Sequence, residues 1–210
     1  AALCNLCVEA GAKTGLCEVD ETTLSYLKEQ GREPLAVLNP DADADYEEVF
    51  EIDLSEIRPI VAKPHFVDNV VPAEECSGIP IDEAFLGSCN NGRIEDLRVG
   101  AELLRGRKVA DSVRFLVVPA SRAVYEEALR EGLLKIFMDA GAIVMNPNCS
   151  VCWGSCQGVI GEGETLISTG TRNFKGRSGH KDSYVYLASA ATVTASAVKG
   201  EICTAENLTK

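Results

Sequence analysis

From Ile81 onward the chain alternates short apolar runs with amphipathic stretches, and this alternation limits the architectures open to it. Ile81–Leu86, Val113–Val118, Ala142–Met145, Thr165–Ser168 and Val185–Leu187 read as strands. Helices are expected over Arg93–Arg105, Ser121–Glu131, Leu133–Ala140 and Ser189–Lys199. Ile94, Leu97, Ala101 and Leu104 share one face of the first, Ser121 caps the second, and Gly200 stops the last. Strand–helix repetition of this kind predicts an α/β fold, a parallel sheet flanked by helices. In such sheets ligands gather at the carboxyl ends of strands. Cys89, Cys149 and Arg172 all fall just past predicted strand ends, so one crevice can take all three.

The region before Ile81 is less regular. Leu3 to Gly11 reads as a helix, Asp20 as the cap of a second helix reaching Gln30, and Val49–Ile52 and Ile57–Ala62 as strands. Asn39 to Glu48 alternates aspartates but lacks the Gly and the terminal Glu of a calcium loop, so it reads as a solvated linker. The expected organisation is a partial α/β domain at 1–62, a Pro-rich connector at 63–80, and an α/β domain at 81–210. The start, Ala1-Ala2-Leu3-Cys4, looks like the interior of a domain and suggests a piece of a longer protein.

A net charge of −12 with no long basic stretch argues against nucleic acid or an anionic membrane surface as partner. No apolar run approaches the ~20 residues of a membrane span. An anionic substrate therefore needs cations placed locally. Nine cysteines, an odd number in an α/β pattern, point to metal or redox use in a reducing cytoplasm rather than to bridges.

The chemistry concentrates in two constellations. Cys89 lies in Gly-Ser-Cys-Asn-Asn, and Cys149 and Cys152 lie 60 residues later in Asn-Cys-Ser-Val-Cys. Three thiolates on two strand-end turns can hold a [4Fe–4S] cluster through three of its irons. The same pair also suits zinc, with Cys156, His65 or His180 completing the set, or a dithiol that leaves Cys89 unused. The second constellation is Gly170-Thr171-Arg172-Asn173-Phe174-Lys175-Gly176-Arg177. Its two arginines flank a turn, and their planar forks match carboxylates. A third run, Cys4-Asn5-Leu6-Cys7-Val8-Glu9-Ala10-Gly11-Ala12-Lys13, places Asn5 and Glu9 four apart.

Taken together, Gly-Ser-Cys-Asn-Asn-Gly-Arg-Ile-Glu-Asp-Leu, Cys-Ser-Val-Cys, the Arg172–Arg177 run and the Asn5–Glu9 run resemble the aconitase superfamily. The likeness is to the C-terminal half of a 3-isopropylmalate dehydratase or homoaconitase large subunit, and it runs from about residue 3 to Leu208. The His65 segment, Ala-Lys-Pro-His-Phe-Val-Asp-Asn-Val, is similar to a connector in the archaeal-type members.

The resemblance implies an aconitase-like fold and a hydro-lyase acting on a hydroxy di- or tricarboxylate. It implies a [4Fe–4S] cluster on Cys89, Cys149 and Cys152, with Asn5, Ser88 and Asn91 around it. Glu9 would contact the water or hydroxyl on the open iron, and Arg172 and Arg177 would bind substrate. It also implies partners: the missing N-terminal half of the large subunit, and a small subunit supplying the serine base. An iron- or oxygen-sensing fragment is the alternative within that likeness. Three positions depart from the family pattern. Asn90 stands where Thr is usual, Thr171 where Asn is usual, and Ala190 where Pro is usual.

Overall fold

The computed structural model describes residues 2–34 and 36–208. The expected domain limits Ala1 and Lys210 lie outside them. The chain divides into two compact units, residues 3–57 and residues 58–210.

The first unit holds α1 (Ala2–Leu6) and α2 (Glu21–Glu29). Asp20 caps α2 by accepting a 2.7 Å hydrogen bond from the Thr23 amide, which satisfies one of the helix's orphan donors. The helix expected to reach Gly11 ends at Leu6. Beyond it the Ala12 amide turns back to the Cys7 carbonyl, and Gly11 adopts φ +82°. Five residues form too few hydrogen bonds to offset helix nucleation, so a turn wins. The strand expected at Val49–Ile52 does not form. Val49, Phe50 and Ile52 are exposed, and without a neighbouring strand an alternating pattern has nothing to pair with. None of the described residues of 3–57 is buried.

The second unit is built on a seven-stranded sheet. Its strands are β1 (Ile60–Ala62), β2 (Val70–Pro72), β3 (Glu83–Gly87), β4 (Arg114–Val118), β5 (Ile143–Val144), β6 (Thr165–Ser168) and β7 (Tyr184–Leu187). The order is β2-β1-β7-β6-β3-β4-β5. β3 to β7 run parallel, while β1 is antiparallel to both β7 and β2. β2 lies inside the segment read from sequence as a connector. Three residues ending in proline carry too weak a pattern to mark an edge strand.

The helices are α3 (Ser88–Asn91), α4 (Ile94–Leu104), α5 (Arg122–Arg130), α6 (Leu133–Ala140), α7 (Ala190–Lys199) and α8 (Ala205–Leu208). The predicted stripe of α4 is the buried one: Ile94, Leu97, Ala101 and Leu104. Ser121 and Ser189 cap α5 and α7, and Gly200 ends α7 with φ +83°. The buried apolar side chains that α4 to α7 give to the core join Ala84, Leu86, Phe115, Val117 and Ile167 on one face of the sheet. On the other face Phe85, Leu116, Val118, Leu166 and Val185 are covered by Met145, Val151 and Ile160. The helices thus pack on one face, and the irregular segment 145–164 closes the other.

The chain leaves β3 towards β4 and β5, then crosses back to β6 on the opposite side of β3 and continues to β7. The connections diverge between β3 and β6, and in open sheets such a switch point, at the carboxyl ends of the strands, is where ligands bind.

The amino ends of the same strands carry an ionic network that reaches from the buried Glu83 to the surface. Glu83 is fully buried, and Arg114 donates to it from Nε at 2.9 Å and grips Glu164 through Nη1 and Nη2 at 3.1 and 2.9 Å. Glu164 Oε2 also accepts from the Gly161 amide, so the network ties down the end of segment 145–164. Glu83 Oε1 has no partner. Burial raises Glu83 from its ordinary 4.5 to about 7, against the pull of Arg114. The folded state therefore keeps a proton that the unfolded chain releases, and this contribution to stability is lost as pH rises between about 4.5 and 7. In urea unfolding, Glu83→Gln should flatten that decline, and Arg114→Met should cost about 2 kcal/mol at neutral pH. A pH dependence unchanged by Glu83→Gln would show that another group sets it.

Candidate functional site

Cys89 is carried by α3, directly after β3. Gly87 makes the turn possible, because a Cβ there would sit 2.6 Å from the Val118 carbonyl oxygen at the end of β4. The buried Ser88 adopts φ +80°, a left-handed conformation disfavoured for serine, and so presents Cys89 outward. Cys149 and Cys152 bracket a single 3₁₀ turn, Ser150–Cys152, in the segment after β5. Ser150, φ +46°, is again a buried serine in the left-handed region. Its amide donates to Asn148 Oδ1 at 2.5 Å and its hydroxyl to the Gln157 carbonyl at 2.8 Å, which fixes the turn. Cys89 and Cys149 are exposed, Cys152 is half-buried, and all three are free thiols.

The residues just past β6 meet both turns. Thr169 Oγ1 accepts from the Gly87 amide at 2.9 Å, and the Asn91 side-chain amide donates to the Thr169 carbonyl. Gly170 faces the other turn, where a Cβ on it would lie 3.8 Å from Cys152 Sγ and 3.0 Å from Ser168 Oγ. The missing side chain leaves room beside the thiol.

The arginine run continues from there. Arg172 is half-buried, with Nη1 donating to the Thr171 carbonyl at 3.1 Å. Asn173 is fully buried and pins the run by donating to the Lys63, Phe66 and Val185 carbonyls at 2.9, 3.3 and 3.4 Å. Arg177 Nε donates to the Cys152 carbonyl at 2.6 Å, and its guanidinium lies 5.5 Å from the Phe174 ring centroid. Arg177 is therefore joined directly to the second cysteine turn, a link that the five-residue spacing of the arginines does not reveal.

Asn5 and Glu9 lie in the first unit, Asn5 on α1 and Glu9 in the turn that follows it. His65 stacks on Tyr184 with ring centroids 6.0 Å apart, and burial with nearby Lys175 lowers its pKa. His180 Nδ1 accepts from the Asp182 amide at 3.2 Å. Among the described residues, no three His, Cys, Asp or Glu side chains are grouped as ligands of a single metal ion.

Sequence reasoning gave no role to Thr169, Gly170, Ser150 or Asn173. Thr169 is two residues from Thr171 and carries no local signal, because its importance comes from pairing with a turn 82 positions away.

The model of the aconitase family (aconitate hydratase) matches residues 1–200. The chain belongs to the aconitase family. It is 53% identical over 200 residues to a probable 3-isopropylmalate dehydratase large subunit of Methanothermobacter thermautotrophicus, covering 95% of this chain and 48% of that protein. It is 51% identical over 200 residues to 3-isopropylmalate dehydratase large subunit 1 of Methanopyrus kandleri, with the same coverage. With the large subunit of Aquifex aeolicus it shares 47% identity over 213 residues, covering 99% of this chain and 49% of that protein. The chain spans about half the length of the curated relatives it matches. No helix among the described residues is long and apolar enough to cross a membrane.

Thr169→Val keeps the shape of the side chain and removes the acceptor for the Gly87 amide. Denaturant unfolding should show a loss of about 1–2 kcal/mol, and hydrogen exchange should speed up at Gly87 before it does so in the core of β4. Equal effects at both places would show that Thr169 supports the sheet rather than the turn.

Proposed function

We propose that this chain is the part of a hydro-lyase large subunit that holds a [4Fe–4S] cluster on Cys89, Cys149 and Cys152 and binds the carboxylates of a hydroxy di- or tricarboxylate. The substrate would be of the 3-isopropylmalate or homocitrate/homoaconitate type. The reading rests chiefly on one observation: two adjacent residues past the end of β6 each meet one strained cysteine turn, Thr169 the Cys89 turn and Gly170 the Cys152 turn.

The donor set fits such a group. Three free thiols stand on turns fixed by the backbone, and a glycine leaves space beside one of them. In a cubane each thiolate binds a different iron, so its ligands stand further apart than those of a single ion. When bound, the cluster supplies an open iron that polarises a substrate hydroxyl and carboxylate as a Lewis acid.

The chain's own residues do the rest. Arg172 and Arg177 put local positive charge into a protein of net charge −12 and orient the substrate carboxylates. Arg177 spends Nε on the Cys152 carbonyl, which registers its guanidinium against the cysteine turn. Ser88 and Asn91 hold the Cys89 turn, Ser88 through its backbone conformation and Asn91 through the Thr169 carbonyl. For Asn5 and Glu9 the family resemblance implies a hydrogen bond near the cluster and a contact to the water or hydroxyl on the open iron. The base comes from a small subunit, and further acids and histidines come from an N-terminal half like that of the longer relatives. Thr171, where the family pattern has Asn, bears on which hydroxy acid fits.

The first test is iron and acid-labile sulfide content after anaerobic preparation. About four of each per chain is expected, with both lost in Cys89→Ser, Cys149→Ser and Cys152→Ser and kept in Cys156→Ser. Stoichiometric zinc, or loss in Cys156→Ser as severe as in Cys89→Ser, would replace this reading. In the enzyme assembled with its partners, Arg172→Lys and Arg177→Lys should raise KM about tenfold with intact iron content, since an ammonium cannot reproduce the bidentate fork. Turnover by the 210-residue chain alone would overturn the dependence on partners.

A further inference from the structure

Three cysteines of the first unit lie together, away from the strand-end turns. Cys4 Sγ on α1 and Cys17 Sγ are 3.4 Å apart, in sulfur–sulfur contact but unbonded. Cys7 completes the group with its thiol turned aside, donating to the Leu3 carbonyl at 3.2 Å. Gly15 brings the two stretches together. A Cβ on it would lie 2.4 Å from Cys7 Sγ and 2.9 Å from Cys4 Cα, so any side chain would push residues 14–17 away from α1. Cys17 is exposed and Cys4 partly so, whereas Cys76 and Cys203 are buried, with thiols pushed up by burial. Nothing in the proposed dehydration uses these three thiols.

We propose that Cys4 and Cys17 form a redox-active dithiol, oxidised by a small-molecule disulfide of the glutathione class to a bond that closes residues 4–17 into a ring.

The exchange balances in two steps. The thiolate of one cysteine attacks a sulfur of the disulfide RSSR, forming a mixed disulfide and releasing RS⁻. The second cysteine then gives up its proton to solvent and attacks the protein-side sulfur, forming the Cys4–Cys17 bond and releasing a second RS⁻. Two electrons pass from the pair to RSSR, which leaves as two thiols once protonated. The sulfurs must close from 3.4 Å to about 2.05 Å, a short movement between the half-buried Cys4 on α1 and the exposed Cys17. Pairing favours the internal bond over a stable glutathione adduct, because the second thiol attacks at high effective concentration. The hydrogen bond with Cys4 pushes the Cys17 thiol up, so the reaction quickens as pH rises above neutral. The ring encloses Asn5 and Glu9, so its closure restricts the segment carrying both.

The test uses the reduced 210-residue chain, equilibrated with graded mixtures of reduced and oxidised glutathione, acid-quenched, alkylated and digested with trypsin without reduction. Cleavage after Lys13 separates Cys4 and Cys7 from Cys17. Mass spectrometry should find peptides 1–13 and 14–28 joined. The link should persist in Cys7→Ser, vanish in Cys4→Ser and Cys17→Ser, and form at a glutathione ratio about tenfold more reducing than the one that glutathionylates exposed Cys156. A link lost in Cys7→Ser, a bond confined to peptide 1–13, or glutathione on Cys17 without a link would each overturn the assignment. The readout needs neither a bound cluster nor partner subunits, so it stands apart from the dehydratase reading.

Discussion

The parallel pairing of β3 with β6 is the contact on which the candidate site depends. These strands are neighbours in the sheet although some eighty residues of chain separate them: Glu83 lies opposite Leu166, and Phe85 opposite Ser168. That register puts Gly87 beside Thr169, so a turn after one strand can hydrogen-bond to the residue after the other. A one-residue slip would turn the side chains of β6 to the opposite face, placing Leu166 among the helices and Ile167 against the 145–164 segment. The register is thus fixed by hydrophobic burial on both faces, and the site inherits its precision from the core.

The two faces of the sheet divide the labour. Helices α4 to α7 cover one face with regular apolar stripes, which supply most of the core. The other face is closed by a segment without regular secondary structure beyond one 3₁₀ turn, anchored by Met145, Val151 and Ile160. A helix there would satisfy its own backbone and leave no freedom to aim two cysteines three residues apart. An irregular segment can adopt the left-handed Ser150, but it needs its backbone held from outside. Asn148, the Ser150 hydroxyl and Arg177 do this around the cysteine turn, and the Arg114–Glu164 pair does it at the far end.

Much of the sheet domain was legible in the sequence because its signals are local. The strand Thr165–Ser168 and the helix Leu133–Ala140 match the sequence pattern residue for residue, and the buried stripe of α4 is the one its spacing predicts. The first 57 residues were less legible, because pattern alone implied a strand and a longer helix where the structure has exposed coil and turns. Of the site, the residue types and spacing pointed to cysteines and arginines at strand ends. The residues that orient them carry no local signal, because they act across long separations in sequence. Thr169 reaches Gly87, and Asn173 reaches Lys63 across 110 positions.

Arg177 shows how the carboxylate-binding role proposed for it and a structural role can fall on one side chain. Its Nε–H donates to a backbone carbonyl of the cysteine turn while the planar fork projects from the same carbon. Any displacement of the Cys149–Cys152 turn therefore moves the arginine, and any carboxylate that grips the arginine pulls on the turn. The Phe174 ring beside the guanidinium limits its swing. A lysine at this place could supply the charge but not the fixed geometry, since one rotatable ammonium cannot serve a carbonyl and a carboxylate in two set directions. The five-residue interval between Arg172 and Arg177 is then explained by geometry. It is the chain needed to run from the end of β6, around the buried anchor Asn173, and back to the carbonyl of Cys152.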